Sequence, residues 1–320
     1  MNKKIVVMGG GNGNFNVLKG LKDHNTELTA IVAMSDSGGS SGRLRDQLRQ
    51  LPYGDVRQCL LALAEEQSNS GILKDIFAHR FSEEGDLSGH SMGNLMLAAL
   101  TEFSGGPERA IEMASKLLQI KGKVLPVTLT RTDLHALLSD GTILEKESII
   151  DTYGGTPGVA VDYVYLEPAA YSYPPSIEAI QEADMIVFSP GDLYTSLIPN
   201  LLVKGISEAI VDSEAKVVFV LSLMTKPGET TGFDSANYVE EVNKYIGKTG
   251  KIDVLLTNSD SLPEKSIKRY AREGSEPVMI NMEKTSHLVG EIAERPLLSE
   301  GTQIRHDPTK LAAELMSFFK

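Results

Sequence analysis

The chain is 320 residues long, 41% hydrophobic and 23% charged, which supplies enough apolar material for one large core or two smaller ones. Its 31 basic and 43 acidic residues leave a formal charge of -12, which opposes general attraction to nucleic acid or anionic lipid. A single cysteine, Cys59, excludes an internal disulfide and a cysteine-based zinc cluster, and agrees with a reducing cytoplasm.

In chain order, Lys4 to Met8 is an apolar run cut off by glycines, too short for a signal-peptide core, and it reads as a buried strand. Asn16 to Asp23 predicts a helix and Leu28 to Ala33 a second strand, so the chain opens with a βαβ unit. Residues 55–119 read as a helical insert, with Val56, Leu60, Leu63 and Ala64, then Leu95, Ala98 and Ala99, marking one face of each helix. Between 123 and 166, extended runs at Val124 to Leu129, Thr142 to Leu144 and Val161 to Leu166 are separated by Asp140-Gly141 and Gly154-Gly155. This pattern predicts antiparallel hairpins at a sheet edge. Further strands are expected at Met185 to Ser189, Lys216 to Leu221, Asp253 to Thr257 and Val278 to Asn281. Helices over Leu197 to Val211, Ser235 to Tyr245 and Pro263 to Glu273 follow the first three. The alternation predicts an α/β fold with mostly parallel strands. No run approaches the roughly 18 apolar residues of a spanning helix. No repeat or low-complexity stretch divides the chain, so one elaborated domain over 1–320 is expected.

The loops carry the chemistry. Gly9-Gly10-Gly11-Asn12-Gly13-Asn14 is a strand-to-helix turn whose bare backbone can approach an anion at a helix N-terminus, or that simply turns tightly. Asn14 or Asn16 stands where a dinucleotide fingerprint needs its third glycine, and the Gly-Lys-Ser/Thr ending of a P-loop is missing. After the second strand, Ser35 to Arg43 supplies Asp36, Gly39, Ser40 and Arg43. Asp36 could accept from ribose hydroxyls, hold Mg²⁺ or cap the next helix, while Arg43 could fork onto phosphate. Asp55 is either a helix cap or, with Asp36, a second ligand to one metal ion. Gly89-His90-Ser91-Met92-Gly93 matches G-x-S-x-G but lacks the buried strand of a nucleophile elbow, leaving His90 and Asn94 as candidates to face a ligand. Ser189 to Ser196 repeats the layout of the first loop, making Thr195 and Ser196 with their backbone amides candidates for a second anion cradle, Tyr194 a candidate ligand contact and Asp192 either a ligand contact or the cap of the following helix. Met224 to Thr230 adds Lys226, and Asn258 ends a later strand. His24, His79, His135 and His287 lack companions at metal-ligand spacing. Arg305-His306-Asp307 reads as the cap of the last helix.

Taken in order, the glycine loop, Ser35 to Arg45, Gly54 to Arg57, Gly89 to Asn94, Gly191 to Val203 and Leu223 to Thr230 resemble the 2-phospholactate transferase-like (CofD-like) family. Arg305-His306-Asp307 resembles the ending of its bacterial gluconeogenesis-factor (YvcK-like) branch. The resemblance spans nearly the whole chain. It implies a Rossmann-like three-layer α/β/α fold. Transferase members join a phospholactyl group from a nucleotide-activated donor to a deazaflavin precursor with Mg²⁺. Gluconeogenesis-factor members are cytoplasmic, linked to carbon metabolism and cell shape, and bind UDP-sugars. By motif position the resemblance implies phosphate binding by Gly10, Gly11, Asn12, Gly13 and Asn14 and by Asp192 to Ser196. It implies a metal at Asp36 and Asp55 and a nucleotide contact at Arg305. Asn12 replaces the family's usual threonine, and Ser37 an aspartate that many members carry. Three classes of function follow: a regulatory protein whose UDP-sugar occupancy is read by a protein partner, a Mg²⁺-dependent transferase, and an NAD-dependent oxidoreductase. None of them calls for nucleic acid or a membrane, and self-association into a homo-oligomer is left open.

Overall fold

The computed structural model describes residues 2–65, 69–82 and 84–319; residues 66–68 and 83, within the expected helical insert, lie outside the described residues. The chain begins β1 (Lys3–Gly9), α1 (Gly11–Leu21), β2 (Thr26–Val32), then α2 (Gly39–Leu48), α3 (Gly54–Leu63), α4 (Asn69–Ala78), α5 (Met92–Ser104) and α6 (Pro107–Leu117). It continues through β3 (Lys123–Pro126), β4 (Asp133–Leu138), β5 (Ile143–Glu145), α7 (Glu147–Thr152), β6 (Val161–Glu167), α8 (Pro174–Gln181) and β7 (Met185–Phe188). A π-helical turn (Leu193–Leu197) leads into α9 (Ile198–Leu201), α10 (Ile206–Asp212), β8 (Lys216–Val220) and α11 (Ser235–Ile246). The last elements are β9 (Val254–Asn258), α12 (Glu264–Arg272), α13 (Met282–Thr285), β10 (Glu291–Arg295) and α14 (Pro308–Ser317).

Seven strands form one sheet in the order β10-β9-β8-β7-β1-β2-β3, and every neighbouring pair is parallel. Ile5 to Met8 and Met185 to Phe188 are continuous apolar runs exposed by no more than 2%, because a parallel sheet is covered by helices on both faces. The fold is α/β, as the strand-helix alternation predicts. The chain leaves β1 towards β2 and β3 on one side, and returns at β7 to build towards β10 on the other. The boundary between β1 and β7 is thus the point where the winding reverses, and ligands of open α/β sheets bind beside the strand C-termini at such a point.

Several expectations are corrected. The helix after the glycine loop begins at Gly11, inside the loop, rather than at Asn16. The helical stretch between β2 and β3 starts at Gly39, earlier than 55. Of the expected hairpin runs, β3 joins the main sheet in parallel with β2. The antiparallel strands β5-β4-β6 form a three-stranded sheet of their own. Arg45 of α2, 1% exposed, ties that sheet to the main body through Asp133 of β4. Val278 to Asn281 is not a strand: Pro277 and Met279 make only isolated bridges. The edge strand is β10, hidden from pattern reading because Glu291, Glu294 and Arg295 leave only Ala293 buried. The helix expected over Leu197 to Val211 is split into α9 and α10 because Gly205 turns with φ +97° between them, whereas Pro199 sits in the first turn of α9, where a helix tolerates proline. Among the described residues, no helix is long and apolar enough to cross a membrane.

Candidate functional site

The turns after β1 and β7 pack directly on each other. A Cβ on Gly13 would lie 1.8 Å from the Pro190 carbonyl oxygen, and one on Gly10 would lie 2.4 Å from Ser196 Oγ. These glycines therefore let two loops distant in sequence share one rim of the sheet, and only part of the loop faces solvent. Asn14 is fully buried and its Nδ2 donates to the Gly9 carbonyl at 3.2 Å, locking the turn.

Two cavities open at this rim. A polar one of about 230 Å³ is lined by Gly11, Asn12, Asp36, residues 38–41, Gly54, Asp55, Arg57, Gln58, Arg80 and Asn94. A longer one of about 440 Å³ is lined by Asn12, Gly13, Phe15, Gln58, Asp192, Leu223, Met224, Tyr270, Ile304, Arg305 and His306, among others. Asn12 and Gln58 belong to both, so the cavities meet beside the N-terminus of α1. The second brings the rings of Phe15 and Tyr270 and the apolar Leu223, Met224 and Ile304 together with the Arg305 guanidinium, groups that suit a nucleoside. A larger cavity of about 580 Å³ lies at the opposite, N-terminal edge of the sheet, where its Lys4 and Glu182 are paired with each other.

Carboxylates crowd the polar side. Asp36 Oδ1 accepts from Gly38 N–H at 2.8 Å, and the start of α3 abuts its other oxygen, where a Cβ on Gly54 would come within 2.7 Å. Burial, reinforced by Asp151, holds the Asp36 pKa up. Burial and the neighbouring Asp36 charge push Asp55 up to about 7. Glu147 of α7 accepts from Ser37 N–H at 3.1 Å, and burial followed by Asp36 raises it to about 8. On the β7 side, burial raises Asp192, and burial with Asp192 raises Glu229 to about 8.

Two groups of acids differ in what balances them. Oxygens of Asp151, Asp192 and Glu229 lie within 4.8 Å of one another. That group already holds a cation, because Lys226 Nζ sits 2.7 Å from Asp151 and 3.5 Å from Asp192. Glu229 also accepts from Tyr194 N–H and Thr195 Oγ1, each at 3.0 Å. Asp36 and Asp55 face the polar cavity and, among the described residues, neither is in a salt bridge. Hard oxygen donors held above their usual pKa by burial and mutual repulsion fit a divalent cation such as Mg²⁺, which relieves that repulsion.

Of the residues the sequence singles out, Gly11, Asn12, Gly13, Asp36, Gly39, Ser40, Asn94, Asp192 and Arg305 line one or both cavities, as does Asp55. Others serve the walls. Gly10 is spent on loop packing. Arg43 donates to the Ser88 carbonyl. His90 is buried with Nδ1 3.1 Å from Ser40 Oγ, and orients that serine. Tyr194 and Thr195 are buried, and their bonds to Glu229 close the expected second cradle; Ser196 packs on Gly10. Asn258 lines neither cavity, because its side chain bonds Asp260 and the Leu297 N–H. The sequence reading missed Gln58, Arg57, Arg80, Glu147, Asp151, Glu229, Phe15 and Tyr270 as site residues. Most lie in helices or between motifs, where local pattern carries no sign of what they face.

Comparison with known proteins places the chain in a family. The pattern of the family described as "2-phospho-L-lactate transferase CofD" matches residues 5–298. The chain is 39% identical over 319 residues to the gluconeogenesis factor of Bacillus subtilis, covering 99% of this chain and 98% of that protein. It is 40% identical over 316 residues to the gluconeogenesis factor of Halalkalibacterium halodurans, covering 98% of this chain and 96% of the other. The crystal structure of a UPF0052-family protein from Bacillus halodurans superposes with a TM-score of 0.92 at 39% identity, covering 99% of each chain. Their agreement over nearly the full length puts the chain in the CofD family, among its gluconeogenesis-factor (YvcK-like) relatives.

Proposed function

We propose that this chain is a cytoplasmic, single-domain regulatory protein of gluconeogenic growth and cell shape that binds a nucleotide sugar of the UDP type. The observation that carries the reading is the pair of cavities meeting at Asn12 and Gln58, one holding the rings of Phe15 and Tyr270, the other polar and lined by both carboxylates and guanidinium groups. The uridine lies in the cavity with Phe15, Tyr270 and Arg305. The diphosphate crosses the α1 N-terminus beside Asn12, where the positive end of the helix favours negative charge although the Gly11 amide itself is held by Asp55. The sugar enters the polar cavity, and Asp36 with Asp55 holds Mg²⁺ against the diphosphate. Supporting the role in gluconeogenic growth are the names of the relatives; occupancy of the site alters a surface read by a protein partner. Calorimetric titration with UDP-sugars, NAD and guanosine diphosphate derivatives tests this. UDP-sugars should bind best, and no binding of them at millimolar concentration would refute it.

A second reading is a Mg²⁺-dependent phospholactyl transferase, favoured by the same Asp36 and Asp55 carboxylates. It requires that product form from a phospholactyl nucleotide and a deazaflavin acceptor, and that Asp36→Asn abolish it. The nicotinamide reading draws no added support, because Asn14 or Asn16 stands where the dinucleotide fingerprint needs its third glycine.

A further inference from the structure

The polar cavity has a second wall that the diphosphate and its metal leave unused. Beside Asp36 and Asp55 the cavity is also lined by Arg57, Arg80 and the first turn of α2. Arg57 is 7% exposed and its Nε donates to Asn94 Oδ1 at 3.1 Å, yet among the described residues it is in no salt bridge. Burial and then the like charge of Arg80 lower its pKa, against the pull of Asp55. Arg80 donates to the Gly89 carbonyl and is exposed. The α2 helix is capped by Gly38 without a side-chain acceptor, and Gly42 N–H is the first to bond back, to the Gly38 carbonyl at 2.8 Å. The amides of Gly39, Ser40 and Ser41 precede that bond, and all three residues line the cavity. Ser40 is fixed in place, its Oγ accepting from Ser91 N–H at 3.3 Å and Asn94 Nδ2 at 3.2 Å. A buried guanidinium that makes no salt bridge among the described residues, an exposed second one on the same cavity and uncapped helix amides make a built receptor for an anion.

We infer that the Arg57–Arg80 end of the polar cavity is a subsite for an anionic group, a carboxylate or phosphate, carried by the ligand beyond its diphosphate. The inference deepens the nucleotide-sugar reading and rests on it for the position of the diphosphate. It predicts that an acidic sugar is preferred over a neutral one.

The test titrates the full chain with UDP-glucuronate and UDP-glucose in Mg²⁺, and separately with inorganic phosphate alone. The uronate should bind at least about tenfold tighter, because charge-assisted bonds to guanidinium discriminate by that much or more. Arg80→Gln should collapse the preference to about twofold or less, and Arg57→Lys should weaken it while keeping the charge. Arg80 is exposed, so its variant is expected to fold, and a thermal melt checks this. Equal affinity for the two sugars, or a preference that survives Arg80→Gln, overturns the subsite. If neither UDP-sugar binds, the nucleotide reading fails and the phosphate arm decides. Phosphate binding lost in Arg80→Gln upholds the subsite; binding that is absent, or unchanged by the substitution, overturns it.

Discussion

Replacing Asp55 by asparagine tests whether the carboxylates at the rim repel one another. Burial and the Asp36 charge raise Asp55 from 3.8 to about 7 on folding. A carboxylate with a raised folded-state pKa favours the native state most when it is protonated in both states. That advantage is lost as pH climbs from the unfolded value through about 7. A shift of about three units corresponds to ~4 kcal/mol, which solvent screening at a half-open rim reduces to ~2 kcal/mol. Urea unfolding in a chelating buffer, from about pH 5 to pH 8, should show the wild type losing ~2 kcal/mol relative to Asp55→Asn. A smaller slope persists in the variant, because Glu147 and Glu229 are raised to about 8 and act in the same direction. Adding Mg²⁺ should restore the wild type at the alkaline end and leave the variant little changed. Wild-type stability that stays level with, or gains on, the variant across this window would refute the reasoning.

Gly13→Ala places a methyl 1.8 Å from the Pro190 carbonyl oxygen and should destabilise the fold by about 2 kcal/mol, read as a lowered midpoint in urea. Tyr270→Ala removes the aromatic wall of the longer cavity and should weaken UDP-sugar binding about tenfold in calorimetry, with the thermal midpoint little altered. Arg45→Ala leaves Asp133 without its partner and a gap in a fully buried position; a loss of about 3 kcal/mol is expected in chemical denaturation.

How much of this was legible in the sequence follows from the range of each signal. The buried strands around β1 and β7 stood out because continuous apolar runs bounded by glycine or polar turns are local features. The meeting of their loops followed from the rule that parallel strands present their C-termini on one edge. What glycine does there was not legible: Gly10 and Gly13 serve contact with Ser196 and Pro190, residues more than 170 positions away. The cradle at Tyr194 and Thr195 was misread for the same reason, since Glu229 on a third loop satisfies it. Glu147 had no motif around it, and its place beside Asp36 depends on the small antiparallel sheet delivering α7 to the rim. β10 escaped notice because an edge strand with one buried side chain has no hydrophobic period.

The central claim is that the turns after β1 and β7 jointly hold a nucleoside diphosphate at the reversal of the sheet. A crystal structure of the chain grown with a UDP-sugar and Mg²⁺ tests it most directly. Density is expected for the diphosphate at the α1 N-terminus beside Asn12, for the uracil beside Tyr270 and for the metal between Asp36 and Asp55. A UDP-sugar bound instead in the cavity of Lys4 and Glu182 at the opposite edge of the sheet would contradict it.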